Sequence, residues 1–232
     1  MMIFMLLVCI TASADYTDEQ LYHAYLSGDV SIWGEYITEC QWDNLSPQER
    51  TRLINYEYGY IPVEADKNNP QCRQLLDAYW HHLEKHKSFL TPSQYAAYKS
   101  SAHAYEYLLN KSKLMSDGLA SFKLAHRAVD LDEKNPVALS LSGNVSFYAP
   151  SLFGGSKKKA LQLFLEAERI MEADTAYRYL WNYPALQLCI AQCYEKRGER
   201  EKAIAQCRKI LSIHPDFLYV RDEYLPSLLQ KK

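Results

Sequence analysis

Apolar side chains recur at intervals of three and four residues along almost the whole chain, and few segments alternate as a β-strand does. Three capping boxes, in which side chains satisfy the backbone donors of a new helix, begin at Thr17, Ser46 and Thr91. Proline occupies the first helical position of the second and third boxes. The pattern predicts helices over 17–27, 30–42, 47–60, 70–88, 92–110, 113–131, 136–148, 156–171, 184–197, 200–213 and 216–230. Because short turns join them, we expect an all-α fold of antiparallel helix hairpins.

The C-terminal third carries a spaced set of small and aromatic positions. These positions are Gln187, Ile190, Ala191, Tyr194, Ala203, Cys207 and Pro215, with a glycine, Gly198, in the turn between the two helices. The set resembles the tetratricopeptide repeat (TPR) family, in which such hairpins stack into an α-solenoid. The resemblance implies that the two helices cross closely at Ala191 and Ala203. Departures from the family pattern are Gln187 for tryptophan, Cys207 for the aromatic residue and Ile210 for a small residue.

A second repeat-like unit precedes this one. Ala160, Phe164 and Ala167 have the spacing of a second repeat helix, and Gly143 is the small residue of the first. The loop between them, 147–155, is similar to the P-x-x-F-G-G loop of exported TPR-like bacterial proteins, including periplasmic TPR partners of some transport systems. A weaker unit runs through Ser121, Ala125, Ala128 and Pro136. We therefore predict TPR-like repeats with a C-terminal capping helix over 91–232, preceded by N-terminal helical hairpins that form a cap over 15–90.

The first fourteen residues are typical of a cleaved export signal. They hold no charged side chain, contain an apolar run over 1–10, and close on Ala12-Ser13-Ala14, a signal peptidase pattern. The run is too short to span a bilayer, so we expect no stable membrane insertion after cleavage. A lipoprotein signal through Cys9 is the alternative, and Val8 before it argues against this. The sequence thus predicts an exported protein, periplasmic or extracellular.

Composition excludes several classes of protein. The 232 residues carry 26 Lys and Arg against 28 Asp and Glu, a net charge of −2. A near-balanced charge offers no general electrostatic surface for nucleic acid, so we expect no nucleic-acid partner. Removal of the signal leaves five cysteines, an odd number, so at least one thiol is free or pairs between chains.

No motif of a known catalytic or cofactor site occurs, whether G-x-G-x-x-G, Walker A, H-E-x-x-H, C-x-x-C or G-x-S-x-G. We expect no enzyme activity and no cofactor. His82 and His86 share a helix face, as two metal ligands do, but a solvated face is the simpler interpretation because zinc needs further ligands. Ser156, before three lysines, is a helix N-cap, an anion pocket or, least simply, a nucleophile.

The cysteines Cys189, Cys193 and Cys207 lie close together in the last predicted repeat. Three interpretations stay open for them. They pack in the core as small apolar side chains, two of them form a disulfide, or they bind a metal.

Tyrosine dominates the aromatic residues, with 19 Tyr against 7 Phe and 4 Trp. The segment 172–183 is an insertion between two repeats and carries Tyr177, Tyr179, Trp181 and Tyr183. A spacing of two cannot place all four on one helix face. They are the candidates for a ligand-facing patch, and a plug that fills the junction within the chain is the more ordinary interpretation.

The family resemblance implies a second set of binding residues, because the first helix of each TPR hairpin lines a concave surface. The residues that would face this groove are Leu188, Gln192, Glu195, Lys196, Ser140, Asn144 and Phe147. Phe147 and Tyr148 would lie at its rim.

These expectations combine into one functional prediction and one alternative. The first is an exported, non-catalytic TPR-like scaffold that binds an unidentified protein or peptide partner through its concave, aromatic-rich surface. The alternative is a periplasmic small-ligand-binding or transport-accessory subunit that holds a ligand in a cavity of the solenoid. A closed aromatic pocket favours the alternative, and an open groove favours protein binding. Nothing in the sequence predicts the oligomeric state.

Overall fold

The computed structural model describes residues 16–230, and every regular element in that range is helical. The helices are α1 (Asp18–Ser27), α2 (Ser31–Glu39), α3 (Pro47–Asp66), α4 (Cys72–Lys85), α5 (Pro92–Leu109), α6 (Asp117–Leu131), α7 (Pro136–Tyr148), α8 (Lys157–Ala173), α9 (Asn182–Lys196), α10 (Arg200–Ile213) and α11 (Leu225–Gln230). A π-helical segment, Tyr219–Tyr224, leads into α11. The prediction of an all-α fold is confirmed for this range.

Local signals begin the helices where the sequence predicts. The capping boxes at Thr17, Ser46 and Thr91 each form both of their hydrogen bonds. Ser156 accepts a hydrogen bond of 3.2 Å from the backbone N–H of Lys159 and so caps α8. This agrees with the N-cap interpretation of that serine.

Some predicted boundaries are wrong. Helix α3 continues to Asp66 rather than ending at residue 60, although Pro62 lies inside it and removes one backbone donor. Ile61 and Glu64 on either side of the proline are buried, so packing outweighs the lost hydrogen bond. Helix α6 starts at Asp117, after a separate 3₁₀ turn over Lys111–Leu114.

Consecutive helices pack as hairpins, most extensively α5 with α6, α7 with α8 and α9 with α10. In the second of these hairpins the ring of Phe164 lies against Gly143. A Cβ atom on Gly143 would lie 2.3 Å from a ring carbon of Phe164, so glycine is required there. The two helices of this hairpin therefore approach each other closely at Gly143.

Helix α1 packs near the other end of the chain. Tyr22 and Leu26 belong to the same buried apolar cluster as Ala203 and Phe217. A second cluster joins Trp33 of α2 to Trp181 just before α9. Two core clusters thus combine residues from before and after position 90, and the predicted division there stays a prediction.

Between residues 16 and 230, none of the helices combines the length and the apolar character needed to cross a membrane. The predicted signal segment 1–14, with Cys9, lies outside the described residues.

The five described cysteines are all free thiols. Cys207 is buried in the core between α9 and α10, and the Cys193 thiol donates to the carbonyl of Lys157 at 3.1 Å. The core-packing interpretation fits both residues, and the disulfide alternative does not.

Candidate functional site

The aromatic residues of the 172–183 insertion lie in different environments. Trp181 is 7% exposed and packs against α3, where its ring comes within 2.5 Å of the position that a Cβ of Gly59 would take. Its ring centroid lies 5.8 Å from the ring centroid of Tyr25, 5.3 Å from that of Trp33 and 5.6 Å from that of Tyr58. Trp181 therefore fixes the insertion to the N-terminal helices.

The other three residues of that insertion divide between core and surface. Tyr183 is buried, with its ring centroid 5.5 Å from that of His214, and Tyr177 is half-buried beside the α8 core. Tyr179 is 38% exposed and meets Tyr22 edge to face. The four side chains form no common patch, and most of their contacts are those of an intramolecular plug.

A cluster of polar and aromatic groups lies instead on the side formed by α1, α3, α7 and α9. We call it the tyrosine cleft and define it as Tyr25, Tyr58, Asn144, Tyr148 and Cys189. The Asn144 amide donates to the Tyr58 hydroxyl at 3.4 Å, and the Cys189 thiol lies 3.6 Å from the Asn144 carbonyl oxygen. The Tyr105 hydroxyl holds the α3 backbone in place with a 2.8 Å hydrogen bond to the carbonyl of Tyr58.

The cleft contains a small cavity of about 40 Å³. Its walls come from α3, α7, α8 and α9, and include Tyr58, Leu141, Asn144, Trp181, Asn182 and Cys189. The indole N–H of Trp181 is buried and has no hydrogen-bond partner. A buried donor without a partner is costly, so this wall of the cavity suits a water molecule or an acceptor atom of a ligand.

The cleft is electrically neutral near pH 7. Burial raises the pKa of the Cys189 thiol to about 12, and it raises the pKa of the Tyr25 and Tyr58 hydroxyls well above the ordinary value. Burial also raises the pKa of Tyr148 to about 12, although 71% of its surface is exposed. Each group is therefore protonated and acts as a neutral donor or acceptor.

These groups are close neighbours. Cys189, Tyr58 and Tyr148 each contribute electrostatically to raising the pKa of Tyr25, and Asp66 and Tyr219 do the same for Tyr148. Within residues 16–230 the hydroxyls of Tyr25 and Tyr148 have no hydrogen-bond partner, so both are available to a ligand.

The remaining predicted groove residues occupy varied positions. Phe147 is buried in the α7–α8 core and its prediction as a rim residue is wrong, because its ring is needed between the two helices. Tyr148 is exposed, and its place at the rim of a groove stays a prediction. Leu188 and Gln192 are half-buried, and Glu195 accepts a hydrogen bond from the Tyr224 hydroxyl at 3.0 Å.

The residues His82 and His86 are not a solvated face. His82 lies 2.6 Å from a carboxylate oxygen of Glu57, and His86 is buried with its ring stacked on Trp42. In the part of the chain that the structure describes, no group of three or more His, Cys, Asp or Glu side chains is arranged to hold a metal ion.

Sequence reasoning did not place Tyr25 and Cys189 in the same site. Tyr25 lies in the first helix with no motif around it, and none of the three interpretations of Cys189 links it to α1. Only the packing of α1 beside α9 brings them together.

The fold itself has a counterpart among solved structures. No family model and no curated protein matches the chain. The HusA haemophore from Porphyromonas gingivalis is similar to it in structure, with a TM-score of 0.56 and 20% sequence identity. The alignment covers 78% of this chain and 87% of that chain. At this identity the likeness shows a shared fold.

Proposed function

We propose that this chain is a non-catalytic binding protein that holds a planar, largely apolar ligand of the haem class in the tyrosine cleft. The observation that carries the proposal is the cleft itself, a cluster of neutral aromatic and polar groups with unpartnered donors. The fold it shares with a protein described as a haemophore supports the choice of ligand class.

The cleft has the physical properties that such a ligand needs. Tyrosine rings offer flat apolar area at a low entropic cost, and their hydroxyls satisfy polar atoms at the edge of a ligand. The Trp181 N–H is buried without a partner. The hydroxyls of Tyr25 and Tyr148 form no hydrogen bond within residues 16–230. A ligand acceptor that reaches them gains hydrogen bonds without breaking existing ones.

The size of the cavity limits how the ligand enters. A space of about 40 Å³ takes a ring edge or a substituent, not a whole tetrapyrrole. Most of a haem-sized ligand would therefore lie in the open part of the cleft, next to the exposed ring of Tyr148.

The architecture and compartment that go with this function are also proposed. The successive pairing of α5 with α6, α7 with α8 and α9 with α10, and the contact of Gly143 with Phe164, support a TPR-like solenoid. The signal pattern in residues 1–14 supports export.

A haemin titration followed by Soret absorbance tests the proposal on the protein and on three variants. We expect saturable one-to-one binding that weakens about tenfold or more in Tyr25→Ala and Tyr148→Ala, since each removes a ring and an unpartnered hydroxyl. Tyr179→Ala is the matched control, because Tyr179 is an exposed tyrosine outside the cleft. Circular dichroism of each variant checks that its helices are kept.

Two results would contradict the proposal. One is a wild-type protein that binds no haemin at micromolar concentration. The other is binding that Tyr179→Ala reduces and both cleft variants leave unchanged, which would move the site to the insertion.

Binding of a protein or peptide partner, the first prediction from sequence, stays a prediction. Crosslinking in the native cell envelope with the wild type and the Tyr148→Ala variant would test it separately from haemin binding.

A further inference from the structure

A second apolar pocket lies on another side of the molecule, between α5, α6, α7 and the loop after α7. Its volume is about 90 Å³. The apolar side chains that line it are Tyr107, Leu114, Leu119, Phe122, Val145 and Phe153. All six are half-buried, and none belongs to the four buried clusters that form the core. They line a space outside the buried core, which is typical of a binding pocket.

Exposed apolar residues surround this pocket. Tyr148 lines it and is 71% exposed. Leu152, in the loop that contributes Phe153, is 87% exposed, and Met115, next to Leu114, is 63% exposed. Concentrated apolar surface of this kind beside a pocket marks a surface that contacts an apolar molecule.

The charge beside the pocket is positive and lacks a local counter-ion. The Lys111 ammonium lies 4.7 Å from the ring centroid of Tyr107, one of the pocket residues. Within residues 16–230 it has no carboxylate within 4.0 Å, whereas Lys113, two residues further on, is 2.6 Å from Glu106. Lys159 likewise has no carboxylate partner there, and it lies 2.6 Å from His126, whose ring packs on Phe122 of the pocket.

We infer that this pocket binds an anionic amphiphile, with its apolar chain among Leu114, Phe122 and Phe153 and its carboxylate or phosphate at Lys111. An unpaired lysine next to an apolar cavity suits such a molecule because each part meets a complementary surface. The amphiphile comes either free, as a fatty acid, or from the surface of an anionic membrane. This site is separate from the cavity of the tyrosine cleft, although Tyr148 contacts both regions.

Two variants on different helices close the pocket. Ala104→Phe on α5 and Gly118→Leu on α6 each place new side-chain atoms in the space. The added Cβ at Gly118 would lie 3.0 Å from the end of the Leu114 side chain, which is flexible enough to move. Lys111→Glu reverses the charge at the rim, and Lys134→Glu is its matched control, an exposed lysine in the turn between α6 and α7.

The test is calorimetric titration with laurate below its micelle concentration, together with co-sedimentation with phosphatidylglycerol vesicles. We expect laurate to bind, the two filled variants to weaken binding about tenfold or more, and Lys111→Glu to weaken it several-fold at low salt. Lys134→Glu should bind as the wild type does. If the wild type binds vesicles but not laurate, and Ala104→Phe, Gly118→Leu and Lys111→Glu each lose vesicle binding, the amphiphile comes from the membrane.

The inference is overturned if the wild type binds neither probe, or if the filled variants and Lys111→Glu all bind as the wild type does. Haemin titration of the same variants keeps this result distinct from the proposed function. Filling the amphiphile pocket should leave haemin affinity within about twofold of the wild type, because the filled positions lie outside the cleft.

Discussion

The hydroxyl of Tyr22 in α1 lies 2.5 Å from Nδ1 of His214, just after α10, so a buried hydrogen bond links the first described helix to the α9–α10 hairpin. The other ring nitrogen of His214 lies 2.9 Å from the side-chain oxygen of Gln187, whose amide donates to Glu168 at 3.2 Å. Burial lowers the pKa of His214, so its ring is neutral near pH 7. Nε2 carries the proton and donates it to the Gln187 oxygen, and Nδ1 accepts from the Tyr22 hydroxyl.

This arrangement predicts a loss of stability in mild acid. Burial lowers the pKa of His214 to about 4 from an ordinary 6.5, so between these values the unfolded chain binds a proton that the folded chain excludes. The contribution of neutral His214 to the free energy of unfolding is fully present above pH 6.5. It falls as the pH drops towards 4, by up to roughly 3 kcal/mol. Urea unfolding at pH 7 and pH 5 measures the effect.

The matched variant for that measurement is His214→Gln, which keeps an acceptor and a donor but does not titrate. Its free energy of unfolding should depend less steeply on pH between 4 and 6.5 than that of the wild type. Equal slopes for the two proteins would contradict the assignment to His214.

Glu106 gives a second, separate pH dependence. Arg73 donates to both of its carboxylate oxygens at 3.0 Å and Lys113 lies at 2.6 Å, and these contacts lower the pKa of Glu106 to about 2. The contribution of ionised Glu106 to the free energy of unfolding is present above pH 4.5 and is lost as the pH falls from 4.5 towards 2. We expect Glu106→Gln to destabilise the protein at pH 7 by at most roughly 3 kcal/mol, because Arg73 is partly exposed.

Thermal unfolding of Glu106→Gln at pH 7 and pH 3 checks this second prediction. The difference between variant and wild type should shrink at pH 3. A difference that stays constant would mean that packing, rather than charge, accounts for the effect.

The contact between Gly143 and Phe164 predicts a size-dependent pair of mutations. Gly143→Ala places a methyl group 2.3 Å from the Phe164 ring, so we expect destabilisation of about 1–3 kcal/mol. Phe164→Leu removes the ring edge that faces residue 143, so it should reduce the destabilisation that Gly143→Ala causes. A double-mutant cycle by chemical denaturation measures the coupling, and strict additivity of the two changes would argue against direct contact.

Cysteine reactivity reports on the tyrosine cleft. Burial raises the pKa of Cys189 from 9.0 to about 12, which reduces its thiolate at pH 8 about a thousandfold. We expect Cys189 to be alkylated far more slowly in the folded protein than in guanidinium, as measured by mass spectrometry of the labelled peptides. Rapid labelling of Cys189 in the folded protein would show that it is not held in the cleft.

Helix positions were largely determined by the sequence alone, because caps and apolar periodicity are local properties of neighbouring residues. The sequence likewise placed Gly143 and Phe164 in adjacent helices of one hairpin, but their direct contact is a result of the packing. The end of α3 could not be predicted from the sequence, because burial of Ile61 and Glu64 outweighs the backbone hydrogen bond that Pro62 removes.

The candidate site was decided by tertiary structure. The aromatic spacing of 177–183 left a ligand-facing patch and an intramolecular plug both open, and packing turned Trp181 inward against Gly59. Tyr25, Tyr58 and Cys189 come from three distant helices, and no local pattern relates them. Periodicity shows which face of a helix is apolar, whereas the partner of that face depends on long-range packing, and that packing assembled the cleft.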